Sequence, residues 1–165
     1  MTLARDGVAA FEPQDLERLD DLLAAFLAEA HARWAAVVDR AGQVLTAAGD
    51  TAELDRVTFG SLAAADFAAS DQLASLLGER EFVTLYHQGE RRSLCLADVA
   101  GSALLAAVFD GRTTLGLVRL RMKSVLPELV ALFQEVAARR SAASHGLEAG
   151  WVAEAQDEID RLFTD

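Results

Sequence analysis

A single cysteine, Cys95, stands in a chain of 165 residues, so no intrachain disulfide can form. Its setting, "SLCLA", reads as a core position rather than as a nucleophile. Cations are scarce as well: 15 Lys and Arg face 26 Asp and Glu, for a formal net charge of −11. That balance excludes nucleic acid and an anionic membrane as expected partners, since both select for Lys and Arg, and it favours a less acidic protein surface. Long apolar runs are missing too. The longest, Ala103 to Phe109, is far too short to span a bilayer, and "MTLARDGVAAFEP" lacks the apolar stretch of a signal peptide, so a cytoplasmic location is expected. Neither G-x-x-x-x-G-K-[ST] nor G-x-G-x-x-G occurs, which leaves no recognisable nucleotide site and no expected cofactor. His31, His87 and His145 share no close spacing with one another or with Cys95, so no metal site is expected. The acid pairs Asp20-Asp21 and Asp157-Glu158 fit the solvated face of a helix. Without a base and nucleophile beside them, no catalytic residue is expected.

What the chain does have is apolar content: 52% hydrophobic residues in a length typical of one domain, enough for a substantial core. Pro13 can open a helix whose apolar positions Leu16, Leu19, Leu22, Leu23, Phe26 and Leu27 recur at helical spacing, to about His31. "WAAVVD" and "QVLTAA" flank the turn "DRAG", which predicts a β-hairpin. After the helix at 59–78, "FVTLYH" and "RSLCLA" flank a Gly-containing turn, and "SALLAAVF" supplies a fifth, fully buried strand. A connection then leads to a helix ending near Arg140, with Leu126, Leu129, Val130, Phe133 and Val136 on one face and Pro127 marking a bend or first turn. The small, polar "SAASHG" reads as a linker over 141–146. Beyond it Leu147, Trp151, Ala155, Ile159 and Leu162 predict an amphipathic helix over 147–165. Residues 1–140 are thus read as one domain with a helical appendage.

The segment "FGSLAAADFAASDQLASLLG", residues 59–78, carries only two charges, Asp66 and Asp71. Ala and Leu favour a helix, and Gly78 suits its stop. At 100° per residue, Ala69, Leu73 and Leu76 fall within about 40° of Leu62, which reads as the core stripe. Gly60, Ala63, Ala64, Phe67, Asp71 and Ala74 fall on the other side. Small apolar residues in place of Glu, Lys and Arg suit close approach by another surface. A helix buried on both sides within one chain is the blander alternative. Asp66 fits neither, since it lies near the stripe assigned to the core.

The order helix, two strands, long helix, three strands, helix, together with "LLGEREF", "HQGERR" and "VFDGRTTLGLVRLR", resembles the Roadblock/dynein light chain family and within it the bacterial MglB branch. The resemblance covers about Gln14 to Arg140. It implies an α+β sandwich: a five-stranded antiparallel sheet with one long helix on one face and the terminal helices on the other. It also implies a homodimer that pairs third strands and long helices across a two-fold axis. MglB-type proteins act on MglA, a small Ras-like GTPase of bacterial polarity and motility, as GTPase activators. The family's partner surface maps here onto Gly60, Ala63, Ala64, Phe67, Ala68 and Asp71. Asp66 and Phe67 depart from the family pattern, which more often has Asn and a small residue there.

GTPase activators often insert an arginine that stabilises charge on the transferred phosphoryl group. Arg91, Arg92 and Arg112 fall in or near turns and are the candidates here, although the resemblance implies activation by reshaping the GTPase switch regions without such a finger. Two other classes compete. One is a Roadblock scaffold that recruits a GTPase or another Roadblock partner without accelerating hydrolysis. The other is a PAS-type small-molecule sensor, which needs a cavity with convergent polar groups that the continuous apolar strands do not suggest.

Overall fold

The computed structural model describes the backbone of residues 11–163 and the side chains of residues 11–143. Helix α1 spans Pro13–Ala30, strand β1 Trp34–Asp39, β2 Val44–Gly49, helix α2 Arg56–Leu76, β3 Thr84–Gln88, β4 Ser93–Val99, β5 Ala103–Phe109 and helix α3 Leu115–Phe163. Each element starts where local chemistry favours it. Pro13 stands in the first turn of α1, where its missing N–H costs nothing, and the Glu12 backbone N–H donates to Asp15 Oδ2 at 2.9 Å. Asp55 caps α2 by accepting from the Thr58 backbone N–H at 3.1 Å. That helix stops at Leu77, followed by Gly78 at φ +77°, as the Leu-Leu-Gly ending predicts.

The five strands form one sheet in the order β2-β1-β5-β4-β3, with every neighbouring pair antiparallel. Edges therefore fall at β2 and β3. Strand β5 is buried along its whole length, because it lies at the centre of the order and is covered on both faces. On one face α1 and α3 pack their large apolar residues, among them Leu19, Leu23, Phe26, Leu129, Leu132 and Phe133, against Ala35, Val37, Cys95, Leu105 and Ala107. On the other face α2 packs alone over Trp34, Ala36, Val38, Leu96, Leu104 and Ala106. This is the α+β sandwich expected, with one long helix on one side and the terminal helices on the other. Cys95 is fully buried, and burial pushes its thiol up to about 11, as its core setting implies.

The structure corrects one element. Helix α3 runs without a break through 141–146, where the sequence reading placed a linker. The segment "SAASHG" is mostly Ala and Ser, which tolerate a helix, and Gly146 costs only about 1 kcal/mol relative to Ala. A helix already nucleated upstream extends across such a stretch. Pro127 lies inside α3 rather than in its first turn. The side chains of the amphipathic stripe expected from Leu147 to Leu162 lie outside the described residues.

Candidate functional site

Helix α2 is the element on which the functional reading turns, and its inner face is made of small residues and two rings, buried Phe67 and half-buried Phe59, whose ring stands 4.9 Å from that of Trp34. Gly60, Ala63, Phe67, Ser70 and Ala74 are its buried positions. A Cβ built on Gly60 would stand 2.2 Å from the Gly42 carbonyl oxygen and 3.3 Å from a Val44 methyl. The helix and the β1–β2 turn thus approach at a distance only glycine permits. Gly42 itself holds φ +87°, which makes "DRAG" a turn that needs glycine twice over, for its own conformation and for contact with α2. Further along, Phe67 is 1% exposed and fills the gap between α2 and the sheet.

The two arcs read from the sequence are real, but their assignment was inverted. Leu62, Leu73 and Leu76, expected to face the core, are 65%, 55% and 82% exposed. Of the residues expected to meet a partner, Gly60, Ala63 and Phe67 are buried on the chain's own sheet, Ala64 and Asp71 are half-buried, and Ala68 alone is exposed. Close approach is the reason. A layer consisting of one helix covers the sheet best when it lies low, and small inward residues allow that while leucines would hold it off. Leu77, just past the end of α2, and Val83, just before the edge strand β3, are also exposed.

Two polar links that the sequence did not announce fix α2 in place. Arg40, from the β1–β2 turn, pairs with Asp98 of β4, lies 3.7 Å from Asp71 on α2, and stacks its guanidinium 5.0 Å from the Phe67 ring centroid. Asp66, which had no place in either arc, shares a hydrogen bond with His87 of β3 at 2.6 Å. It therefore belongs to the outward stripe and joins α2 to the edge strand. Local pattern could not have found either link, because the partners are brought together only by the sheet order.

The three candidate arginines divide between two places. Arg91 and Arg92 are exposed in the turn between β3 and β4. Arg112 donates from Nε to Asp110 at 3.0 Å, and the backbone N–H and side chain of Arg112 together hold the Asp110 carboxyl below its ordinary value. The adjoining Thr113 hydroxyl donates to the Ala30 carbonyl at 2.8 Å, which puts this segment beside α1, on the face of the sheet away from α2. None of the three lies on the leucine stripe.

Comparison with known proteins agrees with this architecture. The family model described as Roadblock/LC7 domain matches residues 18–109. Among solved structures, MglB of Myxococcus xanthus is 35% identical, with 76% of this chain and 94% of that chain covered and a TM-score of 0.73. The gliding protein mglB of Thermus thermophilus is 34% identical, with 76% of this chain and 95% of that chain covered and a TM-score of 0.71. An uncharacterised protein of Methanocaldococcus jannaschii, MJ0310, is 29% identical over 80 residues, which is 48% of this chain and 69% of that protein. A five-stranded sheet with α2 alone on one face, carried by a sequence that matches over most of the solved structures' length, makes this chain an MglB-like member of the Roadblock/LC7 domain family.

Proposed function

We propose that the chain works as a homodimer that binds a Ras-like small GTPase of the MglA type and accelerates its GTP hydrolysis, in bacterial cell polarity or motility. The observation that carries this reading is the outer face of α2. Leu62, Leu73 and Leu76 stand exposed on α2, which Asp66 ties to His87 of β3, and the outer edge of β3 pairs with no other strand of the sheet. Large apolar side chains along an unpaired edge are an association hazard for a monomer, and a dimer that joins β3 edges and α2 helices removes it. The part of α2 left over at the two-fold axis is then the docking surface. Ala68, with half-buried Ala64 and Asp71, belongs to its border. Gly60, Ala63 and Phe67 act from beneath by setting how low α2 lies.

The mechanism proposed is selection of the active switch conformation by binding energy from this face, with the hydrolytic groups supplied by the GTPase. The absence of any arginine from the leucine stripe supports a finger-free route. It supports equally the second reading, a scaffold that recruits the GTPase without accelerating it, so one experiment must separate them. Single-turnover GTP hydrolysis by a cognate GTPase is measured alone, with this protein, and with Leu73→Arg. Acceleration by the wild type that Leu73→Arg abolishes supports activation. Complex formation without acceleration leaves the scaffold, and a wild-type protein that neither binds nor accelerates removes both readings.

A further inference from the structure

The charge of −11 is not evenly spread, and one surface runs against it. From 111 to 127 the chain contains no Asp or Glu but does contain Arg112, Arg119, Arg121 and Lys123. Arg112 and Arg121 are neutralised locally, by Asp110 and by Glu29 at 3.1 Å. Arg119 and Lys123 are exposed and form no salt bridge among the described residues. One helical turn separates them. With Gly116 and the exposed Leu120 they border a shallow depression of about 390 Å³ on α3.

The sheet register brings two more cations to the same end of the molecule. Ser93, the first residue of β4, pairs with Phe109, the last of β5. The β3–β4 turn that carries Arg91 and Arg92 therefore lies at the end of the sheet where the chain leaves for α3. Those two arginines are exposed and equally free of salt bridges among the described residues. Helix α3 starts at Leu115, six residues after β5 ends, so Arg119 stands in its opening turns at that end. Two cations without a salt bridge among the described residues thus border the depression around Leu120, and two more stand at the same end of the sheet, in a chain with a large excess of acid.

We infer that this surface is a second docking site, separate from the outer face of α2, and that it takes an acidic amphipathic protein segment. Two cations flanking an exposed leucine, with two more at the same end of the sheet, match a short segment that alternates carboxylates with apolar residues, because each partner then neutralises the other and buries its apolar side chain. The excess of negative charge elsewhere repels an anionic membrane, and a few cations without an exposed aromatic cluster beside them among the described residues are a weak membrane signal. The site commits to protein rather than lipid. It does not depend on the GTPase reading, because it lies on α3 and the β3–β4 turn rather than on α2.

The test uses the full chain and a labelled synthetic peptide of alternating Glu and Leu-Leu blocks, with a Lys-for-Glu peptide as control. Binding is followed by fluorescence anisotropy at low and high salt, and vesicles containing phosphatidylserine form a separate arm. The acidic peptide should bind, weaken with salt, and weaken about tenfold more with the double variant Arg119→Glu, Lys123→Glu. The double variant Arg56→Glu, Arg80→Glu carries the same change in net charge on exposed residues elsewhere and should bind nearly as the wild type does. An unchanged far-ultraviolet spectrum and melting temperature establish that both variants fold. Equal loss in both variants would reduce the effect to net charge and overturn the site. So would failure of the acidic peptide to bind, equal binding of the basic peptide, or binding to vesicles in its place.

Discussion

The two helical layers cover the same sheet by opposite means. On one side α1 and α3 point Leu19, Leu23, Phe26, Leu129, Leu132 and Phe133 inward and, Asp15 apart, keep their charged residues toward the surface. On the other, α2 points Gly60, Ala63, Ser70 and Ala74 inward around Phe67, with half-buried Phe59 near its start, and leaves its leucines outside. Two helices can share the work of covering a sheet with bulky side chains. One helix alone must lie close, and closeness requires small residues. Hydrophobic periodicity locates the core face only where the opposite face is polar, as on α1, where Arg18 at the surface pairs with Glu135 at 2.7 Å. On α2 neither face is polar, so size rather than hydrophobicity tells inside from outside.

This contrast can be broken deliberately, and the largest effect should come from Phe67→Ala. It removes the most deeply buried large side chain of the α2 seam and the ring under Arg40, at a cost of about 3–5 kcal/mol, measured as a fall in the denaturant midpoint. Next is Gly60→Ala. The added methyl meets the Gly42 backbone at 2.2 Å, which cannot swing away as a side chain would, so about 2–3 kcal/mol should be lost. A Gly60→Ala protein as stable as the wild type would mean that α2 lies farther from the β1–β2 turn than this.

The opposite layer supplies the third test. Asp15 is buried beneath Arg139, with which it forms an ion pair. Burial alone pushes its carboxyl up, but the Glu12 backbone N–H and the Arg139 guanidinium outweigh burial and hold it below the ordinary value. A depressed folded value contributes stability that is present above the unfolded value, near pH 4 for Asp, and is lost as pH falls through the folded value. Arg139→Ala should therefore cost about 2 kcal/mol at neutral pH, below the usual loss for a broken buried pair because Arg139 is partly exposed. The gap between variant and wild type should narrow as the pH is lowered below about 4. A gap independent of pH would assign the loss to packing by the arginine stem.

The smallest effect on stability, and the sharpest on the proposed association, belongs to Leu73→Arg. Its side chain is already exposed, so the stability of the monomer itself should change by no more than about 0.5 kcal/mol, while light scattering should show dissociation of the dimer or pull-down should show loss of the GTPase. Marked destabilisation of the isolated chain would place Leu73 in a core and undo the comparison.

The sequence by itself determined the number and order of the elements to Phe109, the turns at Gly42 and Gly78, the burial of Cys95 and β5, and the inward face of α1. Each of these follows from short-range chemistry: period of hydrophobicity, left-handed glycine and proline at a helix start. It also showed that the two sides of α2 differ and that Asp66 fitted neither. Only the tertiary structure decided which side faces inward, because the distance between a helix and a sheet depends on how many helices share the face, and that is a property of the whole fold. The pairs Asp66 with His87 and Arg40 with Asp98 were hidden for the same reason. Their members are distant along the chain, and no local pattern records which strand will lie at an edge. Continuity of α3 through 141–146 is the intermediate case, since its small and polar residues accept either helix or linker, and the turns already formed upstream favour helix.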